Sequence, residues 1–468
     1  MKGLDIKKAR NISIYLFGAI LNKGISYLST PIFTRLMSKK DFGVLSLTTT
    51  WITIISIFVG AQISGTIPSA YVKYRQKVDR YISNVLLLSL ITMIGFMTAG
   101  LLFREVLSSW MGLTNLIVLP VIIYISYGKS MSNLYISYTI QKKQPLSNVI
   151  FSSSVSLSVL LIGCIVTCVI PNEKYWGKII GEIIVYSVVI CFIYFRFTIW
   201  KGCQEPNCWR EELTLSIPLI FHLLATNIIS QSDRIFVTRM IGYDAMAVYS
   251  VAYTIGMVAL VVVEAAFNVW MPWFFSQIGY GDRRDLINRN ARIMIVLIAL
   301  IHGLVIVFST EFFLIMAPES YVGGISCTVL ITISTLFSFF YRFPLCYEQY
   351  CRKMGWVAIA TGVASISNII LNFLMIPILG IEGAAIATII STVFLWLIHE
   401  LVVRRRMEGY PIGFYHYFIG IAAVLPMVII QILFQDYLPA RMVMSFLYVC
   451  AVLYALYREY GYILKCRE

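Results

Sequence analysis

Long runs of apolar residues, separated by short charged stretches, recur along almost the whole chain. A transmembrane helix needs about 20 predominantly apolar residues, and the runs have about that length. The pattern therefore predicts an all-α integral membrane protein with about fourteen transmembrane helices. The predicted spans are residues 12–34, 43–68, 81–103, 113–140, 146–170, 177–199, 213–236, 247–275, 291–316, 322–347, 356–378, 383–403, 414–434 and 440–461.

Composition supports this interpretation and excludes a water-soluble enzyme. Of the 468 residues, 59% are hydrophobic and 13% are charged, whereas soluble domains carry about 25% charged residues. The mean hydropathy is +0.81. The longest predicted loops, 201–212 and 279–290, are too short to contain a soluble catalytic domain.

The net charge of +14 is best explained by orientation in the membrane. If the N-terminus is cytoplasmic, 25 of the 37 Lys and Arg residues lie on the cytoplasmic side and 9 on the opposite side. Only Lys23, Lys129 and Arg342 remain within spans. This excess follows the positive-inside rule and predicts an even number of spans with both termini cytoplasmic. We therefore expect no nucleic-acid partner.

Two segments recur in the sequence at nearly the same offset. Residues 34–46 align with 238–250 after a shift of 204 positions, and residues 170–180 align with 376–386 after a shift of 206. Six spans per repeat is an even number, so the repeats run parallel. The predicted domains are an N-terminal six-helix lobe (1–200), a C-terminal six-helix lobe (201–410), and an appended two-helix hairpin with a cytoplasmic tail (411–468).

Three stretches also carry a family resemblance. They read NISIYLFGAILNKGISYLSTPIFTRLMSKKDFGVLSL (11–47), SDRIFVTRMIGYDAMAVYSVAYTIG (232–256) and IPILGIEGAAIATIIST (376–392). Together they resemble the Wzx-type oligosaccharide flippases of the MOP superfamily, which also includes the MATE drug exporters and the MurJ lipid II flippases. The resemblance implies two six-helix lobes around a central cavity that opens alternately to each side of the membrane.

The function that follows from this resemblance is transport rather than catalysis. We expect a multi-pass protein of the bacterial inner membrane that translocates polyprenyl-pyrophosphate-linked oligosaccharide repeat units. The products would be O-antigen of lipopolysaccharide, capsule or exopolysaccharide. The expected partners are the lipid-linked oligosaccharide and membrane lipids, with a polysaccharide polymerase and a chain-length regulator as candidate protein partners.

Ionisable residues within spans are the first candidates for substrate binding. A charge at the centre of a membrane helix costs about 2.5 to 3.5 kcal/mol on insertion scales, so such residues are rare and commonly functional. Lys23 lies deep in the first span beside Asn22, Lys129 lies in a polar part of the fourth, and Arg342 lies late in the tenth. The alternatives are snorkelling for Lys23, structural pairing for Lys129 and an interfacial position for Arg342.

Arginines near the ends of spans 1 and 7 add to this set. Arg35 and Arg239 occupy equivalent places in the repeat, and Arg234 lies deeper in span 7. The planar guanidinium group binds phosphate oxygens well, which suits a pyrophosphate. Alternatively, these arginines simply end helices at the interface. The predicted substrate-binding residues are Asn22, Lys23, Arg35, Lys129, Arg234, Arg239 and Arg342.

Acidic residues are candidates for ion coupling. Glu264 is interpreted as the only carboxylate near the middle of a span, and Asp233 precedes Arg234. Either residue would bind a proton or a sodium ion, or would serve as a fixed partner of a basic residue. We predict no other cofactor and no metal site, because the ten cysteines are scattered without a metal-binding spacing.

No catalytic motif is complete in the sequence. His399-Glu400 lacks the second histidine of a zinc protease helix, because Val403 stands at that position. A membrane-embedded transferase is one rival function, and an intramembrane histidine with a carboxylate partner would support it. No such pair is evident in the sequence. The leading rival is a cation-coupled multidrug exporter of the MATE kind.

Overall fold

The computed structural model describes residues 2–198, 207–278 and 283–465, and these residues are almost entirely helical without any β-strand. The predicted all-α fold is thereby confirmed. Short 3-10 turns occur at Arg75–Lys77 and Glu319–Gly324. The helices are α1 (Lys2–Leu36), α2 (Lys39–Val59), α3 (Ile63–Tyr74), α4 (Val78–Leu102), α5 (Arg104–Met111), α6 (Val118–Gln141), α7 (Pro145–Val169), α8 (Tyr175–Thr198), α9 (Asn207–Met240), α10 (Tyr243–Gly256), α11 (Val258–Ile278), α12 (Arg284–Val307), α13 (Ser309–Met316), α14 (Ile325–Phe340), α15 (Arg342–Tyr350), α16 (Met354–Arg406), α17 (Tyr415–Leu433) and α18 (Leu438–Lys465).

Eleven of the described helical segments are long and apolar enough to cross a membrane. One of them, α16, has 53 residues, whereas about 20 suffice for one crossing. Gly380 breaks α16 with φ 62° and ψ −139°. A Cβ atom on Gly383 would lie 2.3 Å from the carbonyl oxygen of Met375, so the chain reverses here and forms two crossings. Together with α1 and α6, which carry Lys23 and Lys129, the segments are consistent with about fourteen spans.

The two halves of the chain repeat the same succession of helix lengths. α4 has 25 residues and α12 has 24, and each is followed after one residue by an eight-residue helix, α5 or α13. α4 and α12 begin at Val78 and Arg284, which are 206 positions apart. The preceding spans are both broken, between α2 and α3 and between α10 and α11. The repeat is therefore present in the backbone as well as in the sequence.

Contacts within the described chain group it into two compact units, Met1–Ala247 (unit 1) and Val248–Glu468 (unit 2). The lobe boundaries near residues 200 and 410 stay predictions. Unit 2 is built around aromatic side chains, of which Phe267, Phe339 and Phe343 pack edge to face with ring centroids 5.2–5.9 Å apart. Such pairs contribute beyond the area they bury, so unit 2 has a densely packed core.

A buried arginine joins the last helix to the rest of unit 2. Arg441, in the first turn of α18, is 2% exposed. Its guanidinium donates hydrogen bonds to the Val307 carbonyl at 2.8 Å and to Gln431 Oε1 at 3.0 Å. It also pairs with Glu311, with 2.5 Å between Nη2 and Oε1. A buried charge is tolerated only when paired and hydrogen-bonded, so these contacts hold α18 against α12, α13 and α17.

Several helix ends of unit 1 meet at one end of the unit. The last turn of α3 contacts the first turn of α9 through Lys73 and Glu211, 2.6 Å apart. The first turn of α4 contacts the end of α6 through Asp79 and Lys142, 3.5 Å apart. Successive membrane-spanning helices run in opposite directions, so every second connection lies at the same end of the unit. The two ion pairs are consistent with this arrangement. The assignment of this end to the cytoplasm stays a prediction from the positive-inside rule.

Candidate functional site

Glycines bring α7 and α8 unusually close together in unit 1. A Cβ atom on Gly181 would lie 2.7 Å from the backbone nitrogen of Gly163, and one on Gly177 would lie 2.4 Å from Cα of Thr167. Small residues four positions apart let membrane helices approach at backbone distance. The Gly177 and Gly181 pair therefore fixes the height and rotation of α8 against α7.

The neighbouring face of α8 lines a polar cavity. Lys178, Glu182 and Tyr186 follow one another at intervals of four residues, so they lie on one side of the helix. They line a cavity of about 180 Å³ between α1, α7 and α8. That volume is ample for several water molecules. On the opposite wall, α1 contributes three polar residues to the lining: Asn22, Ser26 and Ser29.

Asn22 connects this cavity to the helix packing. Its Nδ2 donates hydrogen bonds to the Gly18 carbonyl and to Ser152 Oγ, both at 2.9 Å, which ties α1 to α7. Its Oδ1 is buried and accepts no hydrogen bond from the described residues. Buried polar atoms are usually satisfied by protein or ordered water. The amide oxygen is therefore a buried acceptor without a donor among the described residues, on a side chain that lines the cavity.

Lys129 lies on α6, next to the same face of α8. A Cβ atom on Gly128 would lie 2.4 Å from Cβ of Tyr186, so the backbone of α6 packs directly against the Tyr186 side chain beside the lysine. Lys129 Nζ donates a hydrogen bond to Thr53 Oγ1 at 3.1 Å. Its charge also interacts with those of Glu182 and Lys178. Lys129 is thus held at membrane depth by α2 and α8, as one of three interacting charges.

The cavity charges, defined here as Lys129, Lys178 and Glu182, have a formal net charge of +1 when all three groups are ionised. Glu182 is 9% exposed and interacts electrostatically with both lysines. Among the described residues, however, it has no direct hydrogen bond or ion pair. Taking a charge out of water costs several kcal/mol when direct partners do not replace the water. The arrangement therefore suits a cavity filled by water and by a mobile ion or ligand, with a preference for anions.

Lys23 and Arg35, predicted to bind substrate, lie elsewhere on α1. Lys23 is exposed and does not line the cavity, although it follows Asn22 directly. Arg35 lies exposed at the end of α1, where Nη1 donates to the Pro31 carbonyl at 3.1 Å. The structure thus brings Asn22 and Lys129 of the predicted set to the cavity region, while roles for Lys23 and Arg35 stay predictions.

The predicted residues of α9 are engaged in local contacts. Asp233 is fully buried and accepts a hydrogen bond from the backbone nitrogen of Arg234 at 2.8 Å. Arg234 Nη1 donates to Gln231 Oε1 at 2.8 Å. Arg239 Nη1 donates to the Trp110 carbonyl at 2.7 Å and so joins the end of α9 to α5. Their proposed roles in substrate binding and ion coupling stay predictions.

Two predicted residues belong to unit 2. Arg342 begins α15, with its guanidinium carbon 5.8 Å from the centroid of the Phe267 ring. Glu264 lies exposed on α11. The ion-coupling role of Glu264 stays a prediction, whereas Glu182, a carboxylate that is buried two turns inside α8, was not among the predicted residues. The spacing of Lys178 and Glu182, next to the pair Gly177 and Gly181, is the sequence signal that could have revealed it.

A buried histidine–carboxylate pair is also present, contrary to the expectation from the sequence. His399 Nδ1 on α16 lies 2.7 Å from Glu348 Oε2 on α15. A transferase would need such a pair to be open to its substrate, whereas these side chains are 1% and 0% exposed. The ring of Tyr341 stacks on His399 at 5.7 Å. The pair therefore belongs to the packed core and does not support the transferase hypothesis.

A second carboxylate of α16 is also paired. Glu400 Oε2 accepts a hydrogen bond from Arg404 Nε at 2.7 Å, and its Oε1 accepts one from the Tyr410 hydroxyl at 3.3 Å. Burial, with the nearby Glu400 carboxylate, raises the pKa of Tyr410 well above its usual value. Tyr410 therefore remains a neutral donor. In the described part of the chain, no group of three or more His, Cys, Asp or Glu side chains is placed to hold a metal ion.

Comparisons with known proteins agree with this fold. The chain matches the family described as "Polysaccharide biosynthesis protein" over residues 9–278. It is 19% identical to the uncharacterized membrane protein MJ1068 of Methanocaldococcus jannaschii, with 96% of this chain and 93% of that protein covered.

Two solved structures share the architecture of the chain. An inward closed conformation of the lipid II flippase MurJ matches 95% of this chain and 99% of its own, with a TM-score of 0.70 and 15% identity. An inward-facing multidrug resistance MATE family transporter matches 86% of this chain and 98% of its own, with a TM-score of 0.65 and 14% identity. The family match covers more than half of the chain, so this protein belongs to the polysaccharide biosynthesis protein family and has the fold of the MOP superfamily.

Proposed function

We propose that this protein is a flippase that moves a polyprenyl-pyrophosphate-linked oligosaccharide from the cytoplasmic to the outer leaflet of the bacterial inner membrane. The observation that carries the proposal is the cavity with Lys178 and Glu182 in its wall and Lys129 beside it. A net positive polar cavity between membrane helices suits an anionic headgroup. Membership of the polysaccharide biosynthesis family supports a glycan as the cargo.

Each part of such a cargo has a counterpart in unit 1. Lysine ammonium groups act as point charges toward phosphate oxygens. Polar groups of α1, such as the hydroxyls of Ser26 and Ser29, would form hydrogen bonds with sugar hydroxyls. The prenyl chain would stay in the surrounding lipid, because apolar surface gains nothing by entering a polar cavity. Transport by alternating access would then carry only the polar headgroup through the protein.

Glu182 offers a means of coupling within the same proposal. In the empty cavity its negative charge partly offsets the two lysines. A cargo phosphate would compete with Glu182 for the lysines, and a proton or sodium ion would then neutralise the displaced carboxylate. Ion entry and cargo exchange would thus be linked by electrostatics at one place.

Deletion and complementation test this proposal. A strain without the protein should accumulate lipid-linked repeat units facing the cytoplasm and lose surface polysaccharide. Wild-type protein should restore export, whereas the double variant Lys129→Gln/Lys178→Gln should not, at equal protein level. Lys174→Gln is the matched control, because it removes a lysine one turn before Lys178, outside the cavity lining. Normal surface polysaccharide in the deletion strain would contradict the proposal, provided that no second flippase is present.

A cation-coupled multidrug exporter is the second candidate, favoured by the carboxylate of Glu182, which has no direct partner in the part of the chain that the structure describes, and by the shared MATE fold. It predicts the opposite phenotype. The deletion strain would become sensitive to cationic drugs while its surface polysaccharide remained normal, and Glu182→Gln would reproduce that sensitivity.

A further inference from the structure

A second, quite different cavity lies in unit 2, where α11 and α12 border a groove of about 610 Å³. From α11 it is lined by Ala266, Trp270 and Trp273 among others, and from α12 by a stripe that runs from Asn290 to Ile301. Asn290 is the only lining residue with a polar side chain other than the two tryptophans. The groove therefore offers an apolar surface suited to a hydrocarbon chain.

The length of the groove matches one leaflet of a bilayer. The lining positions on α12 extend from residue 290 to residue 301, which corresponds to roughly 16 Å along a helix. Half of a hydrocarbon core about 30 Å thick is about 15 Å. A single acyl chain of one leaflet would fill the groove, whereas a long polyprenyl chain would extend well beyond it.

One end of the groove carries a concentration of positive charge. The arginine end is defined by the first turns of α12, next to Asn290, and contains Arg283 and Arg289. Arg284 is directed elsewhere, because its Nη2 donates to the Tyr410 carbonyl at 3.0 Å, and Arg292 lies near His416 of α17. Arg283 Nη1 donates a hydrogen bond to Gln277 Oε1 at 2.5 Å, which joins the start of α12 to the end of α11. From Ile293 to Val307, α12 has no charged residue. The charge is thus placed where a lipid headgroup would meet the groove.

A buried hydrogen-bond donor beside the groove also favours a lipid ligand. Trp270 is 6% exposed, and its Nε1 finds no acceptor among the residues that the structure describes. A buried donor without an acceptor costs about 1 to 3 kcal/mol. A small rotation of the indole toward the groove would let an oxygen atom of a bound lipid supply the missing acceptor, which hydrocarbon alone would not.

We propose that the groove between α11 and α12 is a binding site for one anionic phospholipid. One acyl chain lies along Ala266, Trp270 and Leu297, and the phosphate is held at the arginine end. The site is separate from the cavity charges of unit 1 and does not depend on the proposed transport function. Bound lipid would bridge the two helices and stabilise their packing.

Native mass spectrometry of the detergent-purified full chain tests this proposal. Wild-type protein incubated with equal amounts of phosphatidylglycerol and phosphatidylcholine should retain one phosphatidylglycerol, with at least a fivefold preference. Ala266→Trp fills the groove and should reduce phosphatidylglycerol occupancy at least fivefold. The matched control is Ala265→Trp, an exposed position on the same helix that does not line the groove, which should bind as wild type does.

Two further variants keep the test decisive if Ala266→Trp does not fold. Leu297→Trp fills the groove from an exposed position on α12 and should also abolish retention. Arg283→Gln/Arg289→Gln should remove the preference for the anionic lipid while leaving the groove open. Equal retention of both lipids by wild type would overturn the proposal, as would unchanged binding in both tryptophan variants. Displacement of phosphatidylglycerol by an equal amount of polyprenyl phosphate would overturn the assignment to a phospholipid.

Discussion

The two units differ in the surroundings of their buried ionisable side chains. In unit 2, His399 is paired with Glu348 at 2.7 Å and Arg404 with Glu400 at 2.7 Å. In unit 1, Glu182 lines a cavity and interacts with two lysines without direct contact to either. The first arrangement satisfies the charges within the protein, whereas the second leaves them to water or to a ligand.

This difference separates charges that hold the fold together from charges that are suited to transport. Breaking a buried pair leaves an uncompensated charge, so a paired charge is needed for stability once it is present. A charge beside a cavity already interacts with the cavity contents, so its removal costs little stability. We therefore expect substitutions in unit 2 to affect folding and substitutions at the cavity to affect transport.

The largest effect is expected from Glu348→Ala, which leaves His399 buried without its partner. The free energy of unfolding should fall by about 3 to 5 kcal/mol. Thermal melting of the purified protein in detergent measures this change, with the yield of folded protein as a second reading. Glu348→Gln retains an acceptor for the imidazole N–H and should cost clearly less. Equal melting temperatures for Glu348→Ala and wild type would remove the distinction between paired and cavity charges.

Arg441→Leu should have the next largest effect on stability. It removes the hydrogen bonds that join α18 to α12, α13 and Gln431. Hydrogen bonds to charged groups contribute about 1.5 to 3 kcal/mol, and Glu311 keeps partial access to solvent because it is 26% exposed. We expect a loss of about 2 to 3 kcal/mol and protease cleavage near α18 before the rest of the chain unfolds. Uniform cleavage at wild-type rates would show that Arg441 does not anchor this helix.

Glu182→Gln should change transport with little effect on stability. The substitution keeps the shape of the side chain and removes its charge, so the unfolding free energy should remain within about 1 kcal/mol of wild type. Export per folded molecule should fall about tenfold, the equivalent of about 1.4 kcal/mol. The measurement compares surface polysaccharide with the amount of protein in the membrane. Loss of folded protein instead would place Glu182 with the structural charges of unit 2.

The smallest effect is expected from Lys23→Gln. Lys23 is exposed and lies outside the cavity lining, so export should stay within about threefold of wild type, less than 1 kcal/mol. The same export assay applies, with Lys178→Gln as the reference variant. A loss as large as that of Lys178→Gln would extend the binding region along α1 and support the role predicted for Lys23 from the sequence.

Much of the fold was predictable because membrane insertion depends on local composition. The lengths of the apolar runs indicated about fourteen spans, and an offset near 206 residues indicated the repeat later found in α4 and α12. The depth of Asn22 and Lys129 in the predicted spans pointed to the region of the cavity, while their role in substrate binding stays a prediction. Each of these features depends on a short window of sequence, because the free energies of transfer from water into the membrane are approximately additive over its residues.

The partners of the charges could not be predicted in this way. Glu182 was overlooked because it lies near the start of an apolar run, and only the contact of Gly181 with Gly163 turns it toward a cavity. Glu348 and His399 are separated by 51 residues and meet only when α15 packs against α16.

The sequence by itself therefore determined the environment of this protein, its helices, its repeat and its family resemblance. The tertiary structure alone decided which charges are paired and which remain open to a cavity. The physical reason is that burial in a membrane is a property of each segment, whereas the interaction between two charges depends on their distance and on the groups between them. That distance is set by the contacts between helices.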